Sequence, residues 1–259
     1  METKHQTFGA QLREWRQRRR ISQFELAGEA DISTRHLSFI ETGRAKPSRA
    51  TIMQLADGLA LTLRNRNALL HAAGFASVYP ERSFDDPSLA SARDAIQRIL
   101  DCQMPFPALA VDRHWTMIAM NPAIAALLEG VAPDLLIPPV NVLRLSLHPK
   151  GLGPRIVNLA QWKRHLIERL RRQVEQSGDP VLEAMIEELS AFPVAASTLP
   201  YDRGSDLVIP LILESPAGRL SFLSTTTVFG TPIEVTLSEI AIESFLPADE
   251  ETAARLRQL

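Results

Sequence analysis

The stretch SQFELAGEADISTRHLSFIETGR, residues 22–44, constrains the fold more than any other part of the chain. Ser22 and Glu25 stand three positions apart as a capping box, which predicts a helix over 23–30. Asp31 and Ile32 make a turn. Ser33 caps a second helix over 34–42, and Gly43 is the residue type that ends a helix in the left-handed conformation. By spacing, Ile32, Leu37 and Ile40 face inward, which leaves Thr34, Arg35, Ser38 and Phe39 on the outer side. Two short helices joined by a tight turn, the second presenting hydrogen-bonding side chains near its start, form a helix-turn-helix shaped for a nucleic-acid groove.

Charge separates this region from the rest. Through Phe75 there are twelve Lys and Arg against seven Asp and Glu, a net +5. The remainder has sixteen against twenty-three, a net −7. Five short helices are predicted between Thr7 and Gly74. Proline, serine and aspartate then cluster in SVYPERSFDDPS, so the expected organisation is a helical domain over 1–76, a linker over 77–88 and a second domain over 89–259. Cys102, the single cysteine, has no partner for an internal disulfide and no Cys or His at zinc-ligand spacing, so no metal or cofactor is assigned. The first residues have no signal-peptide core and no apolar run reaches bilayer length. A soluble cytoplasmic protein with no membrane partner is expected.

The second region mixes strands and helices. PALAVD and WTMIAM read as strands around a polar turn at Asp112 to His114, and NPAIAALLEG as a helix opened by Asn121 and Pro122. A short helix over NVLRLSLHP, a long one over 156–176 and another over 180–189 follow. Three further strands are predicted over 206–214, 219–229 and 233–244, the first two joined by SPAG. The sum is an α+β domain, a five-stranded antiparallel sheet with helices over one face and room for a cavity between them. Asn141, Arg144 and His148 fall at i, i+3 and i+7, with Arg155 and Asn158 shortly after. If that face lines the cavity, Arg144 holds a carboxylate while Trp115, Trp162, Phe222 and Phe229 enclose an apolar tail. The competing reading has these polar groups solvated or capping helix ends. GLGPR, residues 151–155, holds only a fragment of a dinucleotide loop, and no GxSxG, Walker or HExxH motif occurs, so no catalytic residue is assigned and the chain is not read as an enzyme.

SQFELAGEADISTRHLSFIETGRAKPS resembles the helix-turn-helix of phage repressors and of the bacterial xenobiotic-response-element regulators, a lambda-repressor-like domain. The resemblance implies an Arg16–Glu41 ion pair, major-groove contacts from Thr34, Arg35 and Phe39, with Ser38 beside them, and a phosphate contact from Gln23. Arg44, Lys46, Ser48 and Arg49 after the recognition helix, and Ser33 before it, suit further phosphate contacts. Chemistry agrees: the Arg35 fork fits guanine O6 and N7, and Thr34 and Phe39 suit a thymine methyl.

Three more segments, PALAVDRHWTMIAMNPA, PPVNVLRLSLHPKGLGPRIVNLAQWKRHLIERLRRQ and LSFLSTTTVFGTPIEVTLSEIAIESFLPAD, resemble the ligand-binding domain of MmyB-like transcription regulators. That resemblance implies a PAS-like fold and a small, mainly apolar ligand, fatty acids being the type associated with the family. The expected protein is a one-component regulator acting as a homodimer on double-stranded operator DNA. The rival expectation is a DNA-binding regulator whose second domain only dimerises or recruits a protein partner.

Overall fold

Thr7, Ser22, Ser33, Ser48 and Thr62 each accept a hydrogen bond from the backbone N–H three residues on, and five helices begin at those points. They are α1 (Phe8–Arg18), α2 (Gln23–Glu29), α3 (Thr34–Glu41), α4 (Arg49–Gly58) and α5 (Leu63–Ala72). Each such cap is worth about 1 kcal/mol. The Glu25 carboxylate returns the bond to the Ser22 N–H at 2.8 Å, completing the capping box. Gly43 follows α3 at φ +73°. Leu12, Leu26, Leu37, Ile52, Leu55 and Leu70 are fully buried where the five helices meet. At Gly9 a Cβ would lie 2.5 Å from the Glu41 carbonyl oxygen, so only glycine lets α1 approach the end of α3 this closely.

The computed structural model describes residues 7–194 and 208–258. The chain divides between Arg82 and Ser83, and segments 173–178 and 233–235 belong with the first unit. Part of the stretch read as a linker is therefore fixed. The Asn67 amide accepts from Val78 N and Tyr79 N and donates to Tyr79 O at 2.7 Å. Within the same unit Arg18, Arg19 and Asn65 donate to the carbonyls of Val174, Glu175, Gln176 and Ser177.

The second unit contains α6 (Ala90–Cys102), β1 (Ala108–Val111), β2 (Met117–Met120), α7 (Pro122–Leu127) and α8 (Val142–Leu147). After these come α9 (Leu159–Ser177), whose last turn is counted with the first unit, α10 (Pro180–Ala191), β3 (Leu211–Ser215) and β4 (Gly218–Val228). The short α11 (Val235–Ser238), β5 (Ala241–Pro247) and α12 (Glu250–Leu256) close the chain. The strands form one antiparallel sheet in the order β2-β1-β5-β4-β3, so β5, last in sequence, sits at its centre. Alternation gives the sheet two different faces. Ala108, Ala110 and Ile242 pack against Ile96 and Leu100 of α6. Leu109, Leu213, Ser224, Glu243 and Phe245 point the other way, into a cavity.

Two expectations need correction. Helices cover both faces of the sheet, because Ile96 and Leu100 give α6 an apolar stripe of its own that only the second face can bury. The strand expected over 233–244 starts at Ala241: Val235 N donates to Pro80 O and the Glu234 carboxylate takes the Arg82 N–H, so this stretch is bound outside the ladder. Asp206 and Leu207, expected to open β3, lie outside the described residues.

Candidate functional site

The outer side of α3 carries Thr34 and Arg35 exposed, with Ser38 and Phe39 half-buried. The Arg35 and Arg44 guanidinium groups lie 5.4 and 5.9 Å from the Phe39 ring centroid, so the ring orients two cations rather than standing alone. Arg44, Lys46, Ser48 and Arg49 are exposed immediately after the helix. Behind α3, Glu41 accepts from Arg16 Nε at 2.6 Å and Nη2 at 3.0 Å, and from Gln23 Nε2 at 2.8 Å. That bond to Glu41 raises the pKa of Arg16, and the pair locks α1, the start of α2 and the end of α3 at one angle. The expected Arg16–Glu41 pair is thus in place. Gln23, expected on a phosphate, donates one side-chain N–H to Glu41 at 2.8 Å and keeps its amide oxygen and second N–H. Ser33 and Ser48 accept the caps of α3 and α4, and Ser48 Oγ is also bonded to Thr51 Oγ1 at 2.9 Å.

In the second unit, the sheet face and helices α7, α8 and α9 enclose a cavity whose wall is mostly apolar, with Trp115, Leu127, Leu143, Trp162, Leu166 and Leu211 prominent in it. Its volume is about 80 Å³. That is well below the ~300–1,000 Å³ of a typical small-molecule site, so a ligand of that size needs the wall to open. Trp115 enters with its backbone at φ +64°, a left-handed conformation costly for a bulky residue, on the order of 1–3 kcal/mol. The Asp112 carboxylate holds the turn by accepting from His114 N and Thr116 N, both at 2.8 Å. Asn141 Nδ2 to His114 O at 2.8 Å and Val142 N to Trp115 O at 3.0 Å pin it from α8. Trp162 Nε1 donates to Ser146 Oγ at 3.1 Å, and His165 stacks on its ring. Burial, then the nearby Arg169 and Arg172 charges, push the His165 pKa down.

Among the described residues one ion pair stands in this wall. Arg169 donates from Nη1 to Glu243 Oε2 at 2.8 Å and from Nη2 to Glu243 Oε1 at 2.5 Å. Nη2 also donates to Thr226 Oγ1 at 2.8 Å, and the Thr226 hydroxyl donates to Glu243 Oε1 at 3.0 Å. The Trp115 ring covers the guanidinium at 4.5 Å. The Glu243 side chain is 4 % exposed.

Of the residues expected to read a ligand, Trp115 and Trp162 line the cavity and the others do not. Arg144 makes a paired bond to Glu188 at 2.7 Å twice over, on the surface. Asn141 caps α8 through Leu143 N and Arg144 N. His148 Nδ1 accepts from Lys150 N, and its ring meets Phe192 edge-on. Arg155 donates to the carbonyls of Leu127, Glu129 and Glu214, and Asn158 ties Ile212 N to Pro210 O. Phe222 is fully buried against Phe245, and Phe229 packs with α6 on the opposite face. The polar members are engaged elsewhere: α8 ends at Leu147, so the i+7 step to His148 leaves the helix, Arg144 is taken by Glu188, and caps and loop backbone groups hold Asn141, Arg155 and Asn158. GLGPR is a close crossing, since a Cβ on Gly151 would lie 2.2 Å from Leu145 O.

Arg169 and Glu243 were missed, although the sequence carries a signal for each. Arg169 falls seven residues after Trp162 and three after Leu166, on the apolar side of its helix. Glu243 alternates with Ala241 and Phe245 on the inner side of a strand.

The fold and these two sites define a helix-turn-helix transcriptional regulator joined to a ligand-binding domain. Residues 7–69 match a helix-turn-helix domain model, and residues 92–259 match the MmyB-like transcription regulator ligand binding domain. The second match spans well over half of the chain, which therefore belongs to the MmyB-like transcription regulators. The chain is 41% identical over 75 residues to an uncharacterized HTH-type transcriptional regulator, RghRB, of Bacillus subtilis (strain 168). That stretch covers 29% of this chain and 52% of the relative, so the chain spans about half the length of the curated relative it matches. No helix among the described residues is long and apolar enough to cross a membrane.

Proposed function

We propose that the protein is a one-component regulator acting in the cytoplasm, without catalysis, which reads operator DNA with α3 and senses a small apolar ligand, fatty-acid-like in its tail, with a PAS-like second unit. Thr34, Arg35, Ser38 and Phe39 face the bases, and Ser33, Arg44, Lys46, Ser48 and Arg49 hold phosphates. Gln23, which also braces Glu41, reaches a phosphate with the rest of its side-chain amide. One module reads few base pairs, so a homodimer on half-sites about 34 Å apart is the functional unit. Ligand shifts operator affinity by binding one of two states of the dimer more tightly.

The observation that carries this reading is the void itself: an apolar wall with two tryptophans surrounds space instead of closing into packed core. Native mass spectrometry of the purified full chain, followed by denaturing release, tests the sensor half. About one apolar molecule per subunit supports it, and an operator duplex selected from random DNA should then change affinity when that molecule is added. Absence of any operator preference over random DNA overturns the DNA half.

A further inference from the structure

We propose that the Arg169–Glu243 pair makes the polar end of the cavity selective for an uncharged head group, so that the ligand is an apolar chain ending in a hydroxyl, ester or amide rather than a free carboxylate. This rests on the sensor reading above.

Among the described residues, Arg169 and Glu243 are the charged residues of the wall, and they neutralise each other through two bonds at 2.8 and 2.5 Å. The remaining polar lining among the described residues is Ser146 and Ser224. A carboxylate entering here leaves water without meeting net positive charge, and it faces the buried Glu243 as a like charge. To take over the paired Nη1 and Nη2 bond it must displace Glu243 and strand that carboxylate in an apolar wall, which is strongly unfavourable. The same reasoning, with signs exchanged, excludes an ammonium head. A neutral oxygen meets no such opposition. The guanidinium has five N–H groups, and among the described residues three donations go to Glu243 and Thr226, so the pair keeps donor capacity beyond its own bonds. The Trp115 face against Arg169 and the Thr226 hydroxyl between the partners hold the pair as a unit. The neighbouring titratable groups on α9 do not alter the balance: His165 is held towards its neutral form, and Arg172 is exposed.

The test is tryptophan-fluorescence titration of the full chain with lauric acid, dodecanol, methyl laurate and dodecylamine, each below its aggregation limit, at about pH 8. Dodecanol and methyl laurate are expected to bind at least ~10-fold tighter than laurate or dodecylamine. In Glu243→Gln the freed guanidinium should bring laurate level with dodecanol or beyond it, while dodecanol changes little. Should that variant fail to fold, the wild type decides: protonating laurate by lowering the pH to about 5 should raise its affinity towards that of dodecanol. Laurate binding as tightly as dodecanol at pH 8 overturns the head-group proposal and leaves the sensor reading standing. If none of the four binds, both fall.

Discussion

The two units place their polar side chains in opposite ways. In the first, Thr34, Arg35, Arg44, Lys46 and Arg49 stand outside a fully packed apolar centre, and Glu41, one of its buried polar groups, serves to set the angle of the helix that carries them. In the second, the informative polar groups are turned inward: Arg169 and Glu243 meet in the wall of a void, while Arg144, Arg155 and His148 bind their own protein's surface and loops. A partner that arrives from solvent is met by side chains that solvent leaves free. A partner that must be swallowed is met by groups already neutralised, because an unpaired charge in an apolar wall costs more than the fold can supply.

Substitutions in each unit separate these two designs. The largest effect belongs to Glu41→Ala, which leaves the largely buried Arg16 without its counter-charge and Gln23 without its acceptor. A loss of about 3–5 kcal/mol is expected, seen as faster amide exchange through α1 to α3 with the sheet unchanged. Protection that stays the same in α1 to α3 would show that the pair is not what sets their packing. Arg35→Ala comes next, at about 1–3 kcal/mol of operator affinity with relaxed base choice at one position. Arg49→Ala should weaken operator and random DNA alike. Anisotropy titrations on both duplexes distinguish the two, and equal losses for Arg35→Ala count against a base contact.

Smaller effects are expected on the outside of the second unit. Asp179 is partly buried, which alone would raise its pKa, but bonds from His114 and Val181 N together with the nearby His114 and Arg113 charges hold it below the usual carboxylate range. Since its pKa is lower folded than unfolded, its contribution is complete above about pH 4 and is lost as pH falls through the folded value. Unfolding of the wild type and of Asp179→Asn between about pH 6 and 2 should therefore converge in acid; parallel curves would deny the linkage. Arg144→Ala should be the mildest, about 0–1 kcal/mol of stability, since the Arg144–Glu188 pair is exposed at both ends. Ligand affinity should be unchanged, and a large loss would return Arg144 to the anchoring role that its helical spacing suggested.

Legibility followed the range of the interactions. Ser22 with Glu25, Ser33 and Gly43 act within three or four residues of themselves, so α2, α3 and the turn between them were readable from adjacent letters. The Arg16–Glu41 pair spans 25 positions and was reached through family resemblance. Trp115 and Trp162 were anticipated as cavity residues because large aromatics dominate such walls. Arg169 and Glu243, 74 positions apart, were not, because helical and strand periodicity show which face a residue occupies without showing what lies opposite. The same limit misplaced Arg144, whose face turned out to look at Glu188 of α10.

By itself, then, the sequence determined the helix-turn-helix, the order of most elements and the charge contrast between the two halves, since caps, turns and periodicity are local. Only the tertiary structure decided that β5 would lie at the centre of the sheet, that α6 would cover its second face, and that an ion pair would sit in the cavity wall. Those outcomes depend on which surfaces are left to be buried once distant segments meet, and no stretch of neighbouring residues carries that information.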